Sequence, residues 1–178
     1  MNSRKDLEAL FKEHGCDDYR WFEPSAIVIA EWVRMKCRFG CRGYGKAACP
    51  PHLPSLPECQ RFFAEYREAA LFHFRKAVEK PEDRHAWTRA INGRLLKLER
   101  AVFLAGYEKA FVLFVDPCNV CPECADTPAD CRAPQNSRPS PEAMGIDVFS
   151  TVRKCGFDIQ VLSDYAQEMN RFGMLLLQ

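Results

Sequence analysis

Residues 110–131 read AFVLFVDPCNVCPECADTPADC, and this stretch decides both the fold and the chemistry of the chain. Ala110 to Val115 form a continuous apolar run, which is typical of a buried strand. Asp116-Pro117 ends that run, and four cysteines follow with the spacing C-x2-C-x2-C-x6-C: Cys118, Cys121, Cys124 and Cys131. The sequence therefore predicts a strand that leads directly into a loop carrying four metal-ligating thiols.

A second cysteine cluster lies earlier, in the segment KCRFGCRGYGKAACPPH. Its three cysteines are spaced C-x3-C-x7-C: Cys37, Cys41 and Cys49. The glycines between them let the backbone approach a bulky ligand closely. A fourth ligand stays open between His52, Cys59, a residue from elsewhere in the fold, and no protein ligand at all. Cys59 shares a helix face with Leu56 and Phe63, which favours a buried thiol, and Cys16 and Cys155 are interpreted in the same way.

The composition is that of one globular domain, residues 1–178, with cluster loops at 32–57 and 116–141. Its hydrophobic content of 47% is enough for a core without disulfide support. The sequence has neither a signal peptide nor an apolar run of membrane-spanning length, so we expect a cytoplasmic protein with no membrane contact. In that reducing compartment, cysteine clusters indicate metal or redox sites. The net charge of +1 gives no reason to expect a nucleic-acid partner.

Strands and helices are predicted to alternate along the chain. The clearest helix runs over residues 83–105, with Ile91, Leu95 and Leu98 on one face. A shorter helix is predicted at 147–155, and strands at 69–74, 110–115, 158–162 and 174–177. This order predicts an α/β or α+β sandwich with a partly parallel sheet, to which the Cys/Pro-rich loops are added.

The spacing of the later cluster favours an iron–sulfur centre over zinc. Zinc sites usually pair two C-x2-C units that lie a dozen or more residues apart. Here three cysteines recur at every third position, which wraps one loop around a cubane. We therefore predict two [4Fe–4S] clusters, one on four cysteines and one on three, with zinc as the alternative metal.

Taken together, the two motifs identify a resemblance to a known family. The segments VRMKCRFGCRGYGKAACPPHLPSLPEC and DPCNVCPECADTPADCRAPQNSRPSPEAMGIDVFSTVRKCG resemble those of a family catalogued as predicted metal-binding proteins, found widely in anaerobic bacteria and archaea. Shared features are C-x3-C, YGK, CPP and the later four-cysteine motif, followed by RPS and GIDV. Pro141 departs from the family, which usually has Met there. The resemblance implies metal binding over the whole chain but supplies no reaction.

Charged and aromatic side chains are expected around the clusters rather than bonded to metal. Tyr44 and Lys46 lie between cysteines, and Arg138 and Glu142 lie in the segment expected to fold over the later cluster. By chain position, basic residues surround the three-cysteine site (Arg34, Lys36, Arg38, Arg42 and Lys46), and acidic residues surround the four-cysteine site (Asp116, Glu123, Asp126 and Asp130). Such a contrast favours reduction of the three-cysteine centre and an anionic ligand there.

Three functions fit these observations. An electron-transfer or redox-accessory protein would need two centres and a redox partner protein. An enzyme would use an open iron at the three-cysteine site on a small anionic substrate. A binding module would use zinc only to hold its loops. Whether the chain is an enzyme is left open, and no phosphate-binding loop or serine elbow points to another chemistry.

Overall fold

The computed structural model describes residues 3–80, 82–164 and 167–178. Its five α-helices are α1 Arg4–Glu13, α2 Glu31–Gly40, α3 Leu56–Ala64, α4 Asp83–Leu104 and α5 Val148–Lys154. The four strands are β1 Tyr19–Phe22, β2 Ala69–Lys76, β3 Phe111–Leu113 and β4 Met169–Leu176. Short 3-10 turns lie at Pro24–Ala26, Pro128–Asp130, Pro134–Asn136 and Glu142–Met144. This is an α+β arrangement, which is one of the two predicted classes, α/β and α+β.

The four strands form one sheet in the order β1-β2-β4-β3, and each of the three pairings is antiparallel. The long central pair, β2 with β4, runs in register from Ala69 opposite Leu176 to Lys76 opposite Met169. β3 covers only the far end of β4, from residue 174 to residue 176. The edge of β4 near Arg171 and Phe172 is therefore not paired with β3.

Side chains alternate along these strands and feed two apolar cores, one on each face of the sheet. On one face α1 and α4 pack over Phe72 and Leu175. On the other face α3 and α5 pack over Leu71 and Met174. The sheet is thus sandwiched between helices.

Helix α4 follows the predicted bounds closely, because its apolar stripe repeats at helical spacing and is fully buried. Helix α3 begins with a capping box, which the S-x-x-E spacing of Ser55 and Glu58 predicts, and Glu58 accepts a hydrogen bond from the Ser55 backbone N–H at 2.8 Å. Among the described residues no helix is both long and apolar enough to cross a bilayer.

Three expectations about the fold were wrong. The sheet is not partly parallel, because the chain makes a long excursion after β3 and returns along β4 in the opposite direction. Residues 158–162 form no strand and run as irregular chain. Residues 32–40, predicted as the start of the 32–57 loop, belong to helix α2, since the segment from Trp32 to Phe39 contains neither Pro nor Gly and half of it is Arg, Lys and Met, which favour helix.

Two short extended segments bring the cysteine-bearing regions together. Ile29 forms an antiparallel bridge with Ile146. Next to it, the Ala30 N–H donates to the Gly145 carbonyl at 3.0 Å, and the Asp147 N–H donates to the Val28 carbonyl at 2.8 Å. Because α2 begins immediately after this bridge, its cysteine end lies against the turn at Glu142–Met144.

Candidate metal centre

The three cysteines of the earlier cluster come from different local structures but line one cavity. Cys37 lies on the last turn of α2, Cys41 ends that helix, and Cys49 follows a tight turn. The cavity that they share has a volume of about 200 Å³. Tyr44, expected beside this cluster, also lines the cavity. The grouping predicted from the spacing is therefore present in the fold.

Gly43 forms part of the wall of this cavity. A Cβ atom at Gly43 would lie 3.3 Å from the Cys49 sulfur and 3.5 Å from the Cys41 sulfur. The Gly43 N–H also approaches the Cys41 sulfur at 3.3 Å. The absence of a side chain at Gly43 is thus what leaves space between the two sulfurs, and its N–H is placed to donate to a thiolate.

Two carboxylates line the same three-cysteine cavity, and neither was weighed as a fourth ligand from the sequence. Asp116, which the chain order placed beside the later cluster, lies in this wall together with Glu142. Cys37 also approaches the Glu142 carbonyl oxygen, with its sulfur at 3.9 Å. Glu142 is exposed as a whole residue, yet loss of hydration around its carboxyl group raises the pKa; hydrogen bonding, including that of Ser140, opposes the rise, Asp116 adds to it and Arg171 opposes it. Both carboxylates thus face the same cavity as the three thiols and are candidates for a fourth ligand.

The later cluster also forms a single cavity, which is much tighter, with a volume of about 10 Å³. All four of its cysteines line this cavity: Cys118, Cys121, Cys124 and Cys131. Ser137 lies beside them, with its hydroxyl oxygen 3.6 Å from the Cys118 sulfur. The loop that carries the four thiols is folded back on itself by 3-10 turns at Pro128–Asp130 and Pro134–Asn136.

A buried polar network, missed from the sequence, anchors the start of this loop to α4. Asn92 donates to the Asn119 side-chain oxygen at 3.0 Å, and Asn119 donates to the Thr88 hydroxyl at 3.1 Å. The Asn92 side-chain oxygen accepts the Val115 N–H at 3.1 Å, at the end of the β3 segment. Thr88 and Asn92 are fully buried. The signal in the sequence was the presence of two polar residues on the apolar face of a predicted helix, where burial requires hydrogen-bond partners.

The end of the loop is fixed by Arg138, which does not line either cysteine cavity. Arg138 binds the buried carboxylate of Glu99 on α4, and the Phe114 N–H donates to the Pro139 carbonyl at 3.0 Å. Both ends of the four-cysteine loop are therefore attached to the core. The sequence predicted that Arg138 would lie beside the thiols. Instead, its contact with Glu99 holds the end of the loop against α4.

The two cysteine loops contact each other directly. The Ala47 N–H donates to the Ala125 carbonyl at 2.9 Å. Lys46 forms an ion pair with Asp126, with Nζ 2.5 Å from Oδ1, and His52 Nε2 lies 3.0 Å from the Asp126 carbonyl oxygen. His52 therefore links the loops and does not line the three-cysteine cavity. Its role as a metal ligand stays a prediction.

Cys49 lies where the two clusters meet. Burial raises the pKa of its thiol to about 12, and the rise is reinforced first by Cys41 and Cys124 and then by Cys37 and Cys118. Negative charge on these sulfurs would be repulsive without a nearby cation. A bound metal would supply that cation and deprotonate its coordinating thiols, so thiols brought this close are donors of the kind that a metal or a metal cluster takes.

The other three cysteines lie outside both cavities. Cys16 and Cys59 are buried in the two apolar cores, and Cys155 is half-buried against the second. Their interpretation as packing thiols is confirmed. Within the described residues no group of three or more His, Cys, Asp or Glu side chains is arranged to hold a single metal ion.

The charge contrast expected between the clusters is weaker in space than along the chain. Asp116 lies at the three-cysteine cavity, and the charge of Lys46 is paired with that of Asp126. Lys36 and Arg38 lie over the rings of Trp32 and Phe39 on α2. The local charges therefore do not indicate which of the two centres would be reduced first.

Residues 20–177 match the model of the family described as "Predicted metal-binding protein (DUF2284)". The match covers both cysteine cavities, all four strands except the first residue of β1, and helices α2 to α5. No curated protein and no solved structure matches the chain.

Proposed function

The chain belongs to this family of predicted metal-binding proteins, and from that premise we propose that it binds two [4Fe–4S] clusters and acts in electron transfer or as a redox accessory. Cys118, Cys121, Cys124 and Cys131 would hold one cluster. Cys37, Cys41 and Cys49 would hold the other, with a fourth position left open or closed by Asp116, Glu142 or His52. When bound, such clusters supply one-electron oxidation and reduction.

The observation that carries this proposal is the convergence of seven thiols in two neighbouring cavities. Cys49 of one cluster is close enough to Cys124 and Cys118 of the other to be influenced by their charge. Two clusters at these positions would exchange electrons over a short distance. The protein's own part would be to hold the thiols and to fix the two loops against each other.

Cluster identity is supported by two features of the chain. The repeated C-x2-C-x2-C spacing places three thiols on one loop, as in cubane-binding proteins. The three-cysteine cavity of about 200 Å³ also has room for more than one ion, whereas the four-cysteine cavity of about 10 Å³ would have to open before its thiols could enclose a cluster. Zinc remains the competing metal, and a zinc-loaded protein would be a binding module with ordered loops.

A second candidate function is catalysis at the three-cysteine site. A larger cavity of about 400 Å³ adjoins this site and shares Cys37, Cys41 and Glu142 with it. Cavities of this size typically take small molecules. A metal position that the protein leaves open beside such a cavity is the arrangement that separates catalytic metal sites from structural ones.

The test is the metal content of protein purified without oxygen. We expect roughly eight iron and eight acid-labile sulfide per chain, and a brown colour with broad absorption. Cys124→Ser should remove about half of the iron, because it affects one of two equal clusters. Cys155→Ser is the matched control, since Cys155 lies outside both cavities, and it should leave the iron content unchanged.

A second outcome of the metal analysis would contradict the proposal. Stoichiometric zinc without labile sulfide in the oxygen-free preparation would overturn the redox proposal and favour the zinc-bound module. A thiol-reactive or anionic probe that changes the electron paramagnetic resonance (EPR) signal only when Cys37, Cys41 and Cys49 are intact would favour the catalytic candidate over simple electron transfer.

A further inference from the structure

The cavity of about 400 Å³ beside the three-cysteine site has a mostly apolar wall. It lies along the edge of β4 that β3 leaves unpaired, and Phe172 of that strand forms part of its floor. Helix α2 supplies Trp32 and Val33, and the start of α5 supplies Val148 and Phe149. A ligand in this cavity would therefore bury an apolar body against these side chains.

Two cationic side chains project into this apolar surround. Arg171 and Lys36 line the cavity, and the only carboxylate beside them in the described lining is that of Glu142. The Nε of Arg171 is covered by protein atoms, with no hydrogen-bond partner among the described residues, and so does not face the cavity; Nη1 donates to the Asn170 carbonyl at 3.2 Å. A guanidinium carries five N–H donors, so the Nη atoms of Arg171 retain donors for an acceptor from a ligand.

A third polar group is held in a fixed orientation at the same wall. Asn170 lines the cavity next to Arg171, and its side-chain oxygen lies 2.7 Å from His73 Nε2. The other ring nitrogen of His73 lies 2.7 Å from the Asp18 carboxylate. This chain of contacts, which neither cysteine cluster uses, orders the side chain of Asn170 beside the cationic end of the cavity.

We propose that this cavity binds a small organic carboxylate with an apolar, ring-sized body, whose carboxylate is held by Arg171 with help from Lys36. The apolar part would lie against Phe149, Val148 and Phe172. Guanidinium groups bind carboxylates through two parallel hydrogen bonds, which the two Nη atoms of Arg171 can donate. Such a carboxylate would be the class of substrate for the three-cysteine site, because the far end of the ligand would reach Cys37 and Cys41. The inference therefore rests on the catalytic candidate function.

The experiment compares carboxylates with their uncharged carboxamides, using oxygen-free holoprotein and isothermal titration calorimetry. The probes are phenylacetate, 3-phenylpropionate and 4-phenylbutyrate, each titrated beside the corresponding amide. The wild-type protein should bind the best carboxylate about tenfold more tightly than its amide, the equivalent of one charge-assisted contact. Equal affinities, or no binding of any carboxylate at millimolar concentration, would overturn the proposal.

Variants locate the binding site. Arg171→Met should abolish the preference for carboxylate while leaving the affinity for the amide nearly unchanged, and Arg171→Lys should keep part of the preference. Arg100→Met is the matched control, because Arg100 is exposed on α4 on the opposite face of the sheet. Thermal unfolding of each variant shows that it is folded. A preference that survives in a folded Arg171→Met protein contradicts the assignment.

The same titrations separate this inference from the proposed function. Discrimination between carboxylate and amide by protein that contains zinc and no sulfide would keep the binding site and remove the iron–sulfur proposal. In iron-loaded protein, the carboxylate should shift the EPR signal of the cluster lost in Cys37→Ser and leave the signal lost in Cys118→Ser unchanged. Equal shifts in both signals would show that the ligand does not bind beside Cys37.

Discussion

Arg138 and Glu99 form a two-pronged ion pair, with Nε 3.0 Å from Oε1 and Nη2 2.7 Å from Oε2. Glu99 is only 7% exposed, and its Oε1 also accepts the Val112 N–H at 2.8 Å. One carboxylate therefore joins three parts of the chain: α4, β3 and the end of the four-cysteine loop. The position of the loop depends on a contact between residues far apart in the sequence.

Replacing Arg138 with alanine should destabilise the protein by about 3 kcal/mol, since it leaves a buried carboxylate without its cation. The measurement is urea-induced unfolding of metal-free protein. Arg100→Ala, an exposed arginine on the same helix as Glu99, is the control and should change little. A double-mutant cycle with Glu99→Gln then isolates the pair. A loss in Arg138→Ala no larger than that in the control would show that the pair contributes nothing net.

Gly43→Ala should weaken metal binding at the three-cysteine site alone. Its new methyl group would press against the sulfurs of Cys49 and Cys41, at 3.3 and 3.5 Å. About half of the iron should be lost if each site holds one cluster. Gly40→Ala is a closely matched control, because a Cβ at Gly40 has no atom within 4 Å. Equal iron content in both variants would mean that Gly43 does not shape the site.

Trypsin should distinguish the metal-free from the metal-loaded protein. The loop between the anchors at Asn119 and Arg138 has little apolar surface to order it, so metal binding should contribute to its stability. Arg132 is exposed in that loop and is followed by Ala133, whereas Arg138 is followed by Pro139. We expect rapid cleavage after Arg132 in the metal-free protein, detected by mass spectrometry, with α4 still helical by circular dichroism. The same cleavage rate in both forms would show that metal does not order the loop.

The Cys16 thiol should lower the free energy of unfolding at alkaline pH. Burial raises the pKa of its thiol to about 12 from an ordinary value of 9.0, and Arg94 opposes the rise. The folded state therefore keeps a proton that the unfolded chain loses above pH 9, so this stabilisation is complete below pH 9 and falls as pH rises toward 12. The fall is at most about 1.4 kcal/mol per pH unit.

Cys16→Ala tests this pH dependence. Urea unfolding at pH 8, 9 and 10 should give a stability difference between the wild type and Cys16→Ala that narrows as pH rises. Subtracting the two proteins removes the contribution of the other thiols, which titrate alike in both. A difference that is constant over this range would mean that the Cys16 thiol titrates normally in the fold.

The sequence was sufficient where one local pattern dominates. Helix α4 follows from the spacing of Ile91, Leu95 and Leu98, and both cysteine cavities follow from cysteine spacing. It was insufficient where long-range partners decide the outcome. Helix α2 buries only Val33, and its apolar residues at helical spacing, Trp32, Met35 and Phe39, are exposed rather than packed in the core. The direction of β4 depends on the path of the chain after β3, and no residue within β4 encodes it.

The same limit applied to the surroundings of the metal centre. Distance along the chain placed Asp116 with the four-cysteine site, but the bridge between Ile29 and Ile146 brings the three-cysteine site to it. Lys46 was assigned to one cluster, although its ion pair with Asp126 joins both loops. Which charges face which cluster is set by tertiary contacts that no local spacing contains.

The central position of β4 in the sheet affects when the metal sites can form during protein synthesis. β4 lies between β2 and β3, yet residues 169–176 follow all seven clustered cysteines in the chain. A ribosome that adds about 5–20 residues per second exposes both cysteine loops for seconds before this strand emerges. Until β4 is made, β3, which leads into the four-cysteine loop, has no strand to pair with, so we expect the four-cysteine site to be completed only after β4 has joined the sheet.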